Sequence, residues 1–600
     1  MPEADSAPPA AVESDRTPTL THPARVLLRR SMHIFALVGF AVAQPLFGLL
    51  GSEPEFWIAR GSTWLDVAVL LLLVVVVAPA MLVGVDIVAE WINPRLGAVV
   101  HTLIMWGLLF LVMLNVVDTV TGRTMRGLYV IVIAAILAAV GVMLYSRFVT
   151  VQEFLSILVV APIVFSILLI LSLPPLGGTH ADAVDVGIDS DAPVVVVVLD
   201  EFPVNSIQRV DGSIDETRFP NLARLAEMST WYPNATTVHD NTLKAVPAIL
   251  AGRYPEPELQ ATAADYPDNL FTLLASTHEM RVIEGVTQLC PSALCDDLVE
   301  SESTIEHLDT LVADTAIVYL HTIVPATVEY RLPPIGTRWS NFLAEDAAAS
   351  TDLDDAGEYE RMLTTESTGD PRAASAGVFL DSFDPALGAA LYYLHVDVPH
   401  APWSFLPDGR RYAYSDIIPG QPPDGIWSSD EWLSQQAYLR FMLNAGYADR
   451  LVGMTLDRLQ SLGMLDDSMV VFLSDHGENF MPDQSRRAIT SDTLAAVGGI
   501  PMFVKYPGQS FGSIDTRSAQ SIDVVPTVVE ALGGMWEFGP STGRSLLHGD
   551  PDASKVMLTN AGARYELTAE EYRSLAERSR QAIHDVLPSG VGFSGAFAAA

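Results

Sequence analysis

Apolar residues are spread very unevenly along this chain. Its first third holds five charge-free stretches, 32–51, 67–85, 96–117, 127–146 and 154–173, separated by short polar loops. Each is long enough to cross about 30 Å of hydrocarbon at about 1.5 Å per residue. One such stretch alone would also fit a buried core helix, but five in series predict five membrane-spanning helices. Beyond residue 193 the pattern changes. Short apolar runs at 194–199, 469–473 and 501–504 have strand length, 391–398 reads as a further strand with His395 and Asp397 set among apolar residues, and 230–232 reads as a shorter strand. Between them, Leu222, Leu225 and Met228 fall on one helical face, and 436–462 reads as one or two helices. Strands alternating with helices predict an α/β domain whose mostly parallel central sheet is covered on both faces.

These patterns divide the chain into a tail (1–24), a five-helix transmembrane domain (25–175), a linker (176–192), an α/β domain (193–550) and a C-terminal helix and tail (551–600). The tail is rich in Pro, Ala, Ser, Asp and Glu without apolar periodicity, which predicts a disordered cytoplasmic segment. The acidic stretch 346–376 reads as a surface insertion, and 569–586 as an amphipathic helix. Arg25, Arg29, Arg30, Arg95 and Arg147 flank the spans on one side, against Arg60, Arg123 and Arg126 on the other. The bias predicts an inner amino terminus and, after five crossings, an extracytoplasmic domain of a multi-pass cell-membrane protein. The first span is followed by others and lacks a small-residue cleavage pattern, so it does not read as a signal peptide.

Mean hydropathy is +0.30, high for a soluble protein. The formal net charge of −38, concentrated downstream of the spans, argues against a nucleic-acid partner because phosphate backbones would be repelled. The chain has two cysteines, Cys290 and Cys295, in a loop-like segment. Outside the membrane a disulfide is the expected state; a metal pair and two free thiols are the alternatives, and no His or second cysteine pair supports metal.

The chemistry-bearing residues sit at the ends of the apolar runs. Asp475-His476-Gly477 closes 469–473, and Asp200-Glu201 closes 194–199. Two strand tips at the carboxyl edge of an open sheet can offer oxygen and nitrogen ligands to one point. Between them in sequence Thr242 opens a short helical pattern that ends at Gly252. Taken alone, Thr242 reads as a helix cap. It could also serve as a nucleophile, and the two roles can coexist.

The segments 194–201, 242–255, 395–402, 474–477, 500–508 and 523–527, in that order, resemble the sulfatase-like branch of the alkaline phosphatase superfamily. With five spans ahead of the domain, the chain is similar to lipoteichoic acid synthases and other membrane phosphoglycerol or phosphoethanolamine transferases. The resemblance implies Thr242 as nucleophile and one divalent ion held by Asp200, Thr242, Asp475 and His476, with Glu201 as an additional or replacement ligand. A mainly oxygen set with one imidazole favours Mn²⁺, with Mg²⁺ or Zn²⁺ allowed. It further implies substrate contacts from His395 and His400, with His400 assisting proton transfer, and from Lys244 and Lys505. His395 also reads as a satisfied core residue, Lys244 as a solvated helix residue and Lys505 as the start of a surface turn. Arg486 and Arg487 would attract an anionic head group or offset Asp483, and 523–527 reads as a helix start.

Sulfatases proper carry a Cys or Ser within a Cys/Ser-x-Pro-x-Arg signature, converted to formylglycine; here 242–246 has neither that residue nor the Pro and Arg. The expectation is therefore a membrane-anchored enzyme that transfers or hydrolyses a phospho-ester group through a threonine, with a lipid-linked or other envelope phospho-ester as substrate. The alternatives are a hydrolase of sulfuric or phosphoric esters and a non-catalytic membrane scaffold. Donor, acceptor and oligomeric state are not legible in the sequence.

Overall fold

The computed structural model describes residues 22–121, 127–174, 181–295, 304–325, 370–412, 425–535 and 553–586, with isolated positions and short pieces between these stretches. Residues 1–21 of the predicted tail, Arg123, Arg126, most of 346–369 and 587–600 lie outside the described residues. The chain divides into two compact units. One comprises Met1–Ser52, Ala68–Ser172 and Val318–Leu332, and the other Glu53–Val67, Leu173–Ile317 and Pro333–Ala600.

The first unit holds the five apolar helices Arg25–Ser52, Trp64–Ile92, Pro94–Val120, Gly127–Arg147 and Val149–Ser172, here spans 1 to 5, except for the first turn of span 2, Trp64–Val67, which groups with the second unit. All five are long and apolar enough to cross a membrane. Span 1 is the centre of the bundle: 61% of its apolar window is buried, against 11% for span 5. Ile34, Leu37, Val38 and Ala41 of span 1 pack with Met105, Leu108 and Leu155. Val85, Leu103, Ile136 and Leu171 stay exposed, as lipid-facing side chains do.

Glu53–Val67, between spans 1 and 2, belongs to the second unit, with Arg60 paired to Asp314 and Gln288 Nε2 donating to the Ile58 carbonyl at 2.9 Å.

In the second unit a seven-stranded sheet is built from β1 (Val194–Asp200), β2 (Thr230–Trp231), β3 (Glu279–Ile283), β4 (Ala390–Pro399), β5 (Met469–Ser474), β6 (Met502–Lys505) and β7 (Ser513–Ile514). Their order is β7-β2-β6-β5-β1-β4-β3. β1 pairs in parallel with β4 and β5, β4 with β3 and β7 with β2, whereas β6 runs antiparallel to β5 and β2. The mostly parallel α/β sheet is thus as expected. Every residue of β1 is buried. Val195, Val197 and Leu199 enter one core and Val194, Val196 and Val198 the other, because successive side chains of a strand face opposite ways. Such two-sided burial explains why the run carries no polar alternation.

The helices that matter below are α1 (Pro220–Ala226), α2 (Thr242–Ala251), α3 (Pro371–Asp381), α4 (Glu431–Ser461) and α5 (Val524–Ala531). The region 436–462 is one helix, not two. The buried carboxylate of Asp449 on α4 accepts from the Asn221 and Leu222 backbone N–H groups at the start of α1, at 3.2 and 2.7 Å. The end of the predicted 346–376 insertion is no loop: Asp370 caps α3 by accepting from Arg372 N at 2.8 Å. Cys290 and Cys295 are paired, with Cα atoms 6.1 Å apart.

Candidate active site

The carboxyl ends of β1, β4 and β5 lie side by side, and their next residues converge. One ligand atom from each of Asp200, Asp475 and His476 falls within 4.8 Å of the other two, and Asp200, His395 and Asp397 make a second such group. All five residues are buried. His395 and Asp397 share one face of β4 because they are two residues apart. That alternation is the signal by which Asp397, which sequence reasoning missed, could have been found.

Local geometry aims these groups. Asp475 Oδ1 accepts from the backbone N–H of His476 at 2.6 Å and of Glu201 at 3.2 Å, while its Oδ2 and Asp200 Oδ1 have no hydrogen-bond partner. Two buried carboxylate oxygens left bare beside each other are costly unless a cation or proton joins them. Burial first, and then Asp475, push the Asp200 carboxyl well above the usual range. His476 Nδ1 lies 2.9 Å from the Gly477 carbonyl, so Nδ1 holds the proton and Nε2 presents a lone pair. A Cβ at Gly477 would sit 2.3 Å from the Ala496 carbonyl oxygen, so the tight turn after His476 demands glycine. Orphaned oxygens and a correctly turned imidazole suit a divalent ion of the Mn²⁺, Mg²⁺ or Zn²⁺ kind.

Thr242 joins this cluster. Its Oγ1 is 3.3 Å from His476 Nε2. The cap of α2 is Asn241, whose side chain accepts from Leu243 N, so the capping reading of Thr242 fails and its hydroxyl is left to His476. Gly252 ends the helix at φ 59°, a conformation glycine adopts without strain.

Glu201 does not join the ligand groups. Its φ of 59° is left-handed, rare outside glycine, and turns the side chain away from Asp200. There its carboxylate meets Arg486 Nη1 at 3.1 Å and Arg487 Nε at 2.7 Å. Burial opposes ionisation, but Arg486 and then Arg487 hold the carboxyl below its ordinary range. Arg486 is buried and also binds Glu478 at 3.0 Å. Arg487 is 36% exposed and reaches inward, with Nη2 3.5 Å from His476 Nε2 and Nη1 3.4 Å from His400 Nε2. His400 directs Nδ1 at the Ala401 carbonyl, and burial pulls it down to about 4. It is therefore neutral at physiological pH and accepts from Arg487, which does not fit the expected acid.

Neither lysine reaches the cluster. Lys244 Nζ donates to the carbonyls of Glu256 and Pro257 at 3.2 and 2.7 Å, which pins that turn. Lys505 pairs with Val470 at the opposite end of β5, roughly 16 Å of strand from Asp475. There its Nζ donates to the Asp466 and Ser468 carbonyls at 3.0 and 3.3 Å. Lys505→Met is accordingly expected to cost about 1–3 kcal/mol of stability, read by melting, and to leave turnover within about threefold of the parent.

A family model described as Sulfatase matches residues 372–535, the stretch that holds α4, α5 and nearly all of α3. Among curated relatives, an endo-4-O-sulfatase of Bacteroides thetaiotaomicron is 27% identical over 28% of this chain. The multifunctional alkaline phosphatase superfamily protein PehA of Trinickia caryophylli is 36% identical over 16% of this chain. The matches span 34% and 19% of those relatives' lengths. Among solved structures, the lipoteichoic acid synthase LtaP of Listeria monocytogenes is 16% identical, covering 66% of this chain and 93% of that one, with a TM-score of 0.36. A phosphonate monoester hydrolase of Silicibacter pomeroyi is 16% identical over 59% of this chain and 76% of that one, with a TM-score of 0.38. Likenesses of this size assign no activity.

Proposed function

We propose that this protein is a membrane-anchored, divalent-metal-dependent enzyme that moves a phospho-ester group in the cell envelope through a covalent Thr242 intermediate. The observation that carries the reading is the Thr242 hydroxyl, 3.3 Å from an imidazole nitrogen whose other nitrogen is already engaged, beside two bare carboxylate oxygens. Asp200, Asp475, His476 and Thr242 would hold the ion, and His395 with Asp397 extends the same cluster. Bound there, a divalent cation lowers the pKa of the hydroxyl and stabilises negative charge on the transferring group.

The chain's own residues supply the rest. Thr242 Oγ1 gives up its proton to solvent and attacks phosphorus, the bond to the leaving alcohol's oxygen breaks as that oxygen takes a proton from solvent, and the group stays esterified to Thr242. An acceptor hydroxyl or water then displaces it and restores the threonine. Arg487 binds the non-bridging oxygens, and Glu201 and His400 fix its direction from two sides. His400 is thus a positioning residue. In the topology with an inner amino terminus the domain lies outside the cytoplasm, beside lipid-linked phospho-esters.

The test is mass spectrometry of the peptide containing Thr242 after brief incubation of the full-length protein, loaded with Mn²⁺, with membrane phospholipids. A phospho-linked adduct on Thr242 is expected. Turnover of those lipids with Thr242 never modified would sink the intermediate. Simple hydrolysis of a phosphate or sulfate ester uses the same site with water as acceptor, and the sulfatase names of the relatives favour keeping that reading. Comparing release of free product with transfer to an added alcohol separates the two.

A further inference from the structure

The membrane unit contains a chain of polar side chains that the proposed chemistry does not use, drawn one from each of the five spans. Asp86 Oδ2 on span 2 lies 3.2 Å from His101 Nδ1 on span 3. His101 Nε2 lies 3.0 Å from the Tyr145 hydroxyl on span 4, and that hydroxyl lies 2.9 Å from His33 Nδ1 on span 1. His33 Nε2 in turn lies 3.0 Å from Ser156 Oγ on span 5. His33, Asp86 and His101 are buried, His33 completely. Ionisable groups placed among lipid-facing helices are expensive, and their convergence from every span calls for a function.

Their depth is shared. Spans 1, 3 and 5 contribute residues near their starts and spans 2 and 4 residues near their ends, all within about 12 Å of one membrane face at about 1.5 Å per residue. The charged groups nearby are Arg29 and Arg30 on span 1 and Glu90 on span 2, with Arg30 and Glu90 paired at 2.8 Å. On span 5, Gln152 donates its amide to the Tyr145 carbonyl at 2.9 Å.

Proton counting along the chain is tightly constrained. Tyr145 and Ser156 each own one hydroxyl proton, and a neutral imidazole owns one N–H. His101 gives its N–H to Asp86 and accepts from Tyr145, whose oxygen accepts from His33 Nδ1. The Ser156 proton is then claimed twice, by His33 Nε2 and by the Gln152 carbonyl, 2.9 Å away. With His33 neutral, one of these two goes unserved. With one added proton on His33, both ring N–H groups donate, Ser156 serves Gln152, and every contact is satisfied. At the other end Asp86 Oδ1 has no hydrogen-bond partner.

We propose that Asp86, His101, Tyr145, His33 and Ser156 form a proton-binding relay within the membrane unit. One proton taken up at His33 Nε2 is passed on when His33 Nδ1 gives its proton to the Tyr145 oxygen, Tyr145 gives its own to His101 Nε2, and His101 Nδ1 gives its own to Asp86. The net result is one protonated carboxyl in place of one imidazolium, with only N–H and O–H bonds exchanged. Because all five members lie near one face, the relay stores and exchanges a proton there and does not conduct across the bilayer.

The experiment is solid-state NMR of histidine-labelled full-length protein in lipid bilayers between about pH 4 and about pH 9, a range that brackets ordinary imidazole titration. His33→Gln and His101→Gln assign the ring nitrogens. The two rings are expected to report one uptake with a common midpoint, and Tyr145→Phe is expected to part their midpoints by at least about one pH unit, a tenfold change in proton affinity. Asp86→Asn, read the same way, is expected to move the His101 signal and gives a second route if Tyr145→Phe does not fold. Independent titration in the parent, unchanged midpoints in Tyr145→Phe, an unmoved His101 in Asp86→Asn, or no uptake across the range would each overturn the relay and leave a static polar clamp.

Discussion

Thr242→Ala is expected to lower turnover by roughly 10⁴-fold or more while leaving the fold in place, since removal of a covalent nucleophile typically costs that much. The fold should survive for a local reason. Asn241, not Thr242, caps α2, and alanine is the best helix former at the position that follows. The loss is then confined to a 3.3 Å contact with His476, worth under about 1 kcal/mol. Asn241→Ala is the matched control: it removes the cap and should cost about 1 kcal/mol while keeping the hydroxyl. Thr242→Ser keeps the hydroxyl and should retain a large share of activity. Steady-state rates and melting temperatures of the three variants decide the matter. Near-parental turnover in Thr242→Ala would remove the nucleophile from the proposal.

Asp200→Asn is expected to separate stability from function. Asp200 Oδ1 and Asp475 Oδ2 have no hydrogen-bond partner, and the neighbouring Asp475, after burial, opposes ionisation of Asp200. An asparagine amide can donate to Asp475 and removes one charge, so the metal-free variant should be more stable by about 1–3 kcal/mol. The sign follows from the carboxyl's direction. A folded-state acid held above its unfolded range opposes folding increasingly as pH rises through and beyond that range, so the gain should be absent near pH 4 and grow toward neutrality. In the same variant Mn²⁺ should bind at least about 100-fold more weakly, and the rise in melting temperature that Mn²⁺ gives the parent should vanish together with turnover. Melting in EDTA and in Mn²⁺, with metal content by elemental analysis, reads both halves. A variant that is less stable without metal yet still binds Mn²⁺ tightly would show that Asp200 is a structural carboxylate.

The two lysines show where residue-by-residue inference fails. Lys505 follows an apolar run as Asp475 does, but β6 runs antiparallel to β5, so its end lies at the opposite edge of the sheet. Strand direction is not encoded in a run of apolar residues. Lys244 is two residues from Thr242 on a helix, hence on a different face, and its long side chain finds carbonyl partners in the turn at 256–259 instead. Arg487 was legible only as a charge, and its role as the inward arm needs Glu201 and His400 from other strands to orient it.

What the sequence determined by itself is the set of features written in one dimension. Five charge-free runs of membrane length, the valine run of β1 buried on both faces, and the acidic and imidazole groups at strand ends all follow from local periodicity and solvent preference. What only the tertiary structure decided is direction. It turned Glu201 away from Asp200 through a left-handed backbone, brought Asp397 beside them from a neighbouring strand, gave the cap to Asn241, and drew five polar side chains from five spans into one chain. The physical reason is that burial is a property of a residue and its near neighbours. Whether two groups hundreds of positions apart face each other depends on strand order, crossover and rotamer, which long-range packing settles.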